Sequence, residues 1–154
     1  MRRVIAVILL VAWMVLIFAF SNASGEDSGA MSGRLIRKIV LVFSNVEDNS
    51  EELESIVASL SFVVRKGAHC FEYFVLAILA GNTLSSFNIK RNVILYATLF
   101  CAFYAMTDEF HQLFIPNRSG QISDVFIDST ASFIGAYTYH ELFALRGRYA
   151  KKRY

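Results

Sequence analysis

Proline is almost missing from this chain of 154 residues: there is one, Pro116. Charge is scarce too, at 18% of residues, against 55% hydrophobic. A soluble domain of this size usually carries more charge and shorter apolar runs. The two cysteines, Cys70 and Cys101, have no partners at metal or redox spacing, so they read as small buried apolar side chains. No internal repeat, low-complexity tract or H-E-x-x-H zinc signature is present. These shortages leave one compact unit, residues 1–154, built on long apolar segments.

Those segments fall into four groups. Val4 to Phe20 carries no charge. Cys70 to Ser86 holds one acid, Glu72; Val93 to Thr107 is uncharged; Val125 to Tyr139 holds only Asp128. Each is near the length that crosses a bilayer core. The expected fold is therefore all-α: a polytopic membrane protein with four transmembrane helices. The first segment, with Arg2 and Arg3 ahead of it and small residues after it, also has features of a secretory signal. Its apolar run is longer than a signal's usual core, and cleavage would leave three spans, so it is read as a span.

Lysine and arginine set the expected orientation. With four spans both termini share a side. That side carries Arg2, Arg3, Lys90, Arg91, Arg146, Arg148, Lys151, Lys152 and Arg153, nine cations against the single acid Glu141. The other side carries six cations against twelve acids, so the sides stand at +8 and −6 and sum to the net +2. The positive-inside rule then puts both termini in the cytoplasm of a bacterial cell membrane. The basic balance is an inner-leaflet effect, and no nucleic-acid partner is expected.

Between the first two spans lies an outer segment. "SNASGEDSGAMSG" is small and polar and reads as a flexible exit from the membrane. "LIRKIVLVF" is apolar with two cations. Asn49 and Glu52 have capping-box spacing ahead of Leu53, Ile56, Val57 and Leu60, which share one helical face. Such helices lie on the outer surface or over the mouth of the bundle, as packing or as a lid.

The polar residues inside the spans are the functional candidates. Asp108, His111 and Gln112 are spaced i, i+3, i+4 and share a face; Glu109 lies about a quarter-turn away. Asp124 and Asp128 are i, i+4, and His69 and Glu72 are i, i+3, just after Arg65 and Lys66. Alternating helix directions bring all three groups to the outer end. Intramembrane charge is costly and marks candidate sites. Plainer roles compete: Asp124 as a helix-start acid, Arg118 as a partner for headgroup phosphates, Lys66 as an interface anchor, His69 as a hydrogen-bonded interfacial residue, and all of them as an interhelical polar network.

"RKGAHCFEYFVLAILA", "YAMTDEFHQLFIPNRSGQISDVFIDS" and the earlier "WMVLIFAFSNASGEDS" resemble the VanZ-like family of small bacterial membrane proteins. The match runs in order through K-x-x-H-x-x-E-Y, D-E-x-x-Q, an R-x-G turn and D-x-x-x-D. It implies that Lys66, His69, Glu72, Tyr73, Asp108, Glu109, Gln112, Arg118, Asp124 and Asp128 are the family's polar positions; a family glycine appears here as Ala131. The namesake implies a role in teicoplanin-type glycopeptide resistance.

Three classes of function fit the cluster. A binding protein at the outer leaflet would meet a membrane lipid, a lipid-linked cell-wall precursor or the glycopeptide itself, with Lys66, His69, Tyr73, Gln112, Arg118 and Asp124 as ligand contacts. A membrane enzyme acting on a lipid-linked phosphate would use Glu72, Asp108, Glu109 and Asp128 in catalysis. Its cofactor would be a divalent metal on His69, Glu72, Asp108, His111 and Asp128, with Arg118 holding phosphate. An ion-coupled carrier would use the same carboxylates, but the cytoplasmic half lacks matching acids for a through-path.

Overall fold

The structure, a computed structural model, describes residues 1–44, 47–48 and 50–151, with side chains through Phe143. Five helices follow in order: α1 Arg2–Ser21, α2 Gly25–Phe43, α3 Glu51–Ser86, α4 Val93–Gln112 and α5 Ile122–Lys151. No strand occurs among the described residues, as the all-α expectation requires.

Local signals explain the boundaries. Ser24 caps α2: its hydroxyl accepts from Asp27 N, and Glu26 and Asp27 complement the dipole of the first turn. The tract expected to be flexible is thus helical from Gly25, because the cap and the two acids outweigh the glycine and serine content. Asn49, expected as the next cap, lies outside the described residues; Ser50 caps α3 and accepts from Leu53 N. The amphipathic stretch from Leu53 and the span from Cys70 then form one continuous helix of 36 residues, about 54 Å at 1.5 Å per residue. No proline interrupts them. The α3–α4 loop turns through Asn88 (φ 65°) and Asn92 (φ 56°), two asparagines in the left-handed region that asparagine tolerates better than most residues.

Cross-helix bonds fix the register. Arg3 Nε donates to Ser86 O, Thr83 Oγ1 to Ala6 O and Trp13 Nε1 to Glu72 O, so α1 and α3 run antiparallel. Tyr104 Oη donates to Met14 O, and His111 packs on Phe18 with ring centroids 4.7 Å apart, so α4 runs parallel to α1. Lys66 pairs with Asp124, and Ser132 reaches toward Tyr73 O, so α5 runs parallel to α3. α2 packs on the N-terminal half of α3 beside Val57. The core is Ile17, Tyr73, Leu76, Ala77, Ala80, Ala97, Cys101, Ala105 and Ala136. Its alanines let helices approach closely, as small residues do in membrane bundles. At Gly135 two helices approach closely: a Cβ there would lie 2.3 Å from Phe74 O.

Two helices, α1 and α4, are long and apolar enough to cross a membrane. In α3 and α5 polar residues dilute the apolar runs, so four crossings are not read from helix length and hydropathy alone. The alternating directions required for four crossings are present. Cys101 is buried as expected, whereas Cys70 is only half-buried.

Candidate functional site: a polar cluster at one end of the bundle

The end of the bundle formed by the C-termini of α1 and α4, the middle of α3 and the N-terminus of α5 gathers the sequence candidates. A double stitch builds it. Gly25 N donates to Pro116 O at 3.2 Å, and Asn117 Nδ2 donates to Glu26 Oε1 at 2.8 Å. The α1–α2 turn is thereby tied to the α4–α5 loop. A Cβ on Gly25 would meet Asn117 O at 1.9 Å, so this contact requires glycine.

Glu109 fastens the same loop from beneath. It is buried, and its Oε2 accepts from Gln121 N at 2.7 Å. Gly120 closes over it, since a Cβ there would sit 2.5 Å from Glu109 O. The R-x-G turn therefore has its glycine for close approach rather than for positive φ. Arg118, held by this loop, donates from Nη2 to Phe20 O at 3.2 Å. Burial lowers its guanidinium pKa, opposed by the charges of Asp108, Glu109 and Glu72. It does not bond directly to those acids, in contrast to the polar network the sequence allows.

Lys66 and Asp124 form a hydrogen-bonded ion pair, with side chains 19% and 20% exposed. Asp124 therefore does both things open to it, first-turn acid and partner. His69 Nδ1 stands 3.9 Å from Glu72 Oε2, beyond hydrogen-bond reach. Gln112 Nε2 donates to Asp108 Oδ2 at 3.3 Å, as i, i+4 spacing allows.

Deeper in, Tyr73 and Asp128 are 0% and 1% exposed. Tyr73 Oη, Asp108 Oδ1, Asp128 Oδ1, His69 Nδ1 and His111 Nδ1 are buried without a hydrogen-bond partner among the described residues. Buried polar atoms are normally paired, so each of these calls for an explanation. The groups also sense one another: Asp128 feels Glu109, Asp124, Asp108 and Glu72, and Glu72 feels Asp108 and Arg118. Carboxyl groups from three separate motifs thus stand near one another at this end.

The five proposed metal ligands do not gather into a ligand set. Among the described residues no three His, Cys, Asp or Glu side chains stand so that they could hold a metal ion. His111 turns its ring onto Phe18, and the i, i+3 spacing of His69 and Glu72 leaves them apart.

Two clefts open onto the cluster. A polar one of about 90 Å³ is walled by Arg65, Lys66, His69, Gln112, Arg118 and Asp124, with Ser119, Gln121 and Asn117 at the loop side. A more apolar one of about 180 Å³ is walled by Phe20, Ala23, Met31 and Ala68 together with Arg65, His69, Glu72 and Arg118. Arg65, His69 and Arg118 belong to both. Arg65 was not among the sequence candidates. Its signal was its spacing, i, i+4, i+7 with His69 and Glu72, which places all three on one face of α3.

Comparison with known proteins gives one relationship. Residues 6–144 match the family model described as VanZ/LLP1, and the chain belongs to that family. No curated protein and no solved structure matches it. Family membership and the two apolar helices together support a membrane protein.

Proposed function

We propose that this VanZ/LLP1 family member is a bacterial envelope protein that crosses the membrane four times with both termini in the cytoplasm. In this reading its polar cluster forms a binding site at the outer leaflet and contributes to resistance against teicoplanin-type glycopeptides. The site binds a membrane lipid or lipid-linked cell-wall precursor, and the antibiotic's access to its target changes. One observation carries the reading: acids and cations from α3, the α4–α5 loop and α5 converge at a single end and face two adjoining clefts, one polar and one more apolar. An amphipathic ligand suits that pairing.

Large apolar side chains support the four crossings. Val4, Val15 and Phe18 on α1, Phe71 on α3, Phe103 and Phe110 on α4, and Phe126 and Phe133 on α5 are all exposed. Such an apolar exterior on all four long helices is what lipid contact produces and what water disfavours.

Asp108→Asn tests the function. It keeps the size and the acceptor for Gln112 but removes a buried charge. Expression in a glycopeptide-sensitive host should lose protection while the amount of protein in the membrane stays at the wild-type level. Protection retained by Asp108→Asn, or lost only because the protein disappears, would contradict a role for that charge in the site.

A further inference from the structure

We propose that Arg65 and Arg118 form a phosphate clamp in the wall shared by the two clefts, and that its ligand is a lipid with a phosphate headgroup. This deepens, and rests on, the reading of this end of the bundle as a ligand site.

The two arginines come from distant segments, α3 and the α4–α5 loop, yet line both clefts. They are near enough for the charge of Arg65 to oppose that of Arg118. Among the described residues no acid is bonded between them. Among the described residues Arg118 makes one side-chain hydrogen bond, to the neutral carbonyl of Phe20. The Arg65 guanidinium makes no hydrogen bond or ion pair among the described residues. Two guanidinium groups held together this way are relieved by an anion that accepts from both, and phosphate oxygens match the guanidinium fork.

The surroundings select the rest of the ligand. In the polar cleft Lys66 is already neutralised by Asp124, so the two arginines supply its net positive charge. Its 90 Å³ equals about three waters' share of liquid volume, room for one headgroup phosphate. Ser119, Gln121 and Asn117 offer polar contacts at its rim. Asp108 and Asp128 are buried farther in and line neither cleft, so the headgroup stays at the mouth. The neighbouring cleft offers Phe20, Ala23, Met31 and Ala68 to a chain that leaves the headgroup sideways. A free phosphate would use only half of this arrangement.

The test uses full-length protein in detergent and measures binding of phosphatidic acid, its phosphate-free counterpart diacylglycerol, and inorganic phosphate. Phosphatidic acid should bind at least about tenfold more tightly than either, the value of one lost charge-assisted contact. Arg65→Gln should remove that preference by about tenfold. Arg34→Gln, an exposed cation on α2, should leave it unchanged. Arg118→Gln should also lose it, but Arg118 holds Phe20 as well, so Arg65→Gln, which breaks no internal bond, decides. Equal binding of phosphatidic acid and diacylglycerol would overturn the clamp, as would equal losses in Arg65→Gln and Arg34→Gln. Inorganic phosphate binding as tightly as the lipid would overturn the lipid assignment. If the preference holds and depends on Arg65 while Arg65→Gln leaves glycopeptide protection intact, the clamp stands and the resistance reading fails.

Discussion

Glu109 belongs to the buried polar cluster, but its geometry is that of a fastener. Its carboxylate accepts from Gln121 N at 2.7 Å and holds the loop that carries Arg118. Glu109→Ala removes that acceptor and leaves a partly buried N–H without one. A hydrogen bond to a charged group contributes about 1.5–3 kcal/mol. For a chain of this size each kcal/mol moves the melting midpoint by about 2–4 °C, so Glu109→Ala should lower it by roughly 3–12 °C. Glu109→Gln keeps a carbonyl acceptor and should lose about half as much. Thermal unfolding of detergent-purified protein reads both. The loosened loop should also weaken binding at Arg118, in proportion to the loss of stability. Unchanged melting in Glu109→Ala would refute the fastening role. Equal damage from Glu109→Gln would show that the negative charge, rather than the acceptor, matters there.

Other perturbations have defined signs. Lys66→Met should destabilise by ~1–3 kcal/mol, between the ranges for exposed and buried pairs, and adding Asp124→Asn should recover part of the loss; a double-mutant cycle by denaturation measures this. Gly135→Ala must push α5 away from the Phe74 carbonyl and should cost ~1–3 kcal/mol. Gly29→Ala, where a Cβ meets nothing within 4 Å, should instead stabilise by up to ~1 kcal/mol. Ser24→Ala removes the α2 cap, ~1 kcal/mol, and should raise deuterium uptake in α2 while α4 stays protected.

Much of this architecture can be read in the chain before it is folded. The uncharged runs define α1 and α4, and helix alternation brings Lys66, Glu72, Asp108 and Asp124 to one end. Those inferences need only period, length and direction. α2 was harder, because Gly25, Gly29 and Gly33 argue for a loop and only Ser24 with Asp27, an S-x-x-D cap, argues for a helix. The continuity of α3 is hidden by a change of pattern at Arg65 and Lys66, from amphipathic to mainly apolar, although nothing there breaks a helix. Spacing also overreached: His69, Glu72, Asp108, His111 and Asp128 share a depth, but side-chain direction is set by packing, and His111 turns onto Phe18. Arg65 does not stand out in the sequence, because a cation at a span's end has an ordinary explanation; its place beside Arg118 exists only in three dimensions.

The placement of the cluster at the outer face is the premise on which the proposed function turns, and cysteine accessibility tests it directly. Cys70 and Cys101 are first replaced by alanine. Ser119→Cys, on the exposed α4–α5 loop, and Ile89→Cys, on the exposed α3–α4 loop, are then challenged in intact cells with a membrane-impermeant maleimide. Ser119→Cys should label at once, and Ile89→Cys only after the membrane is opened. Labelling of Ile89→Cys alone in intact cells would put the cluster on the cytoplasmic side and contradict an outer-leaflet site.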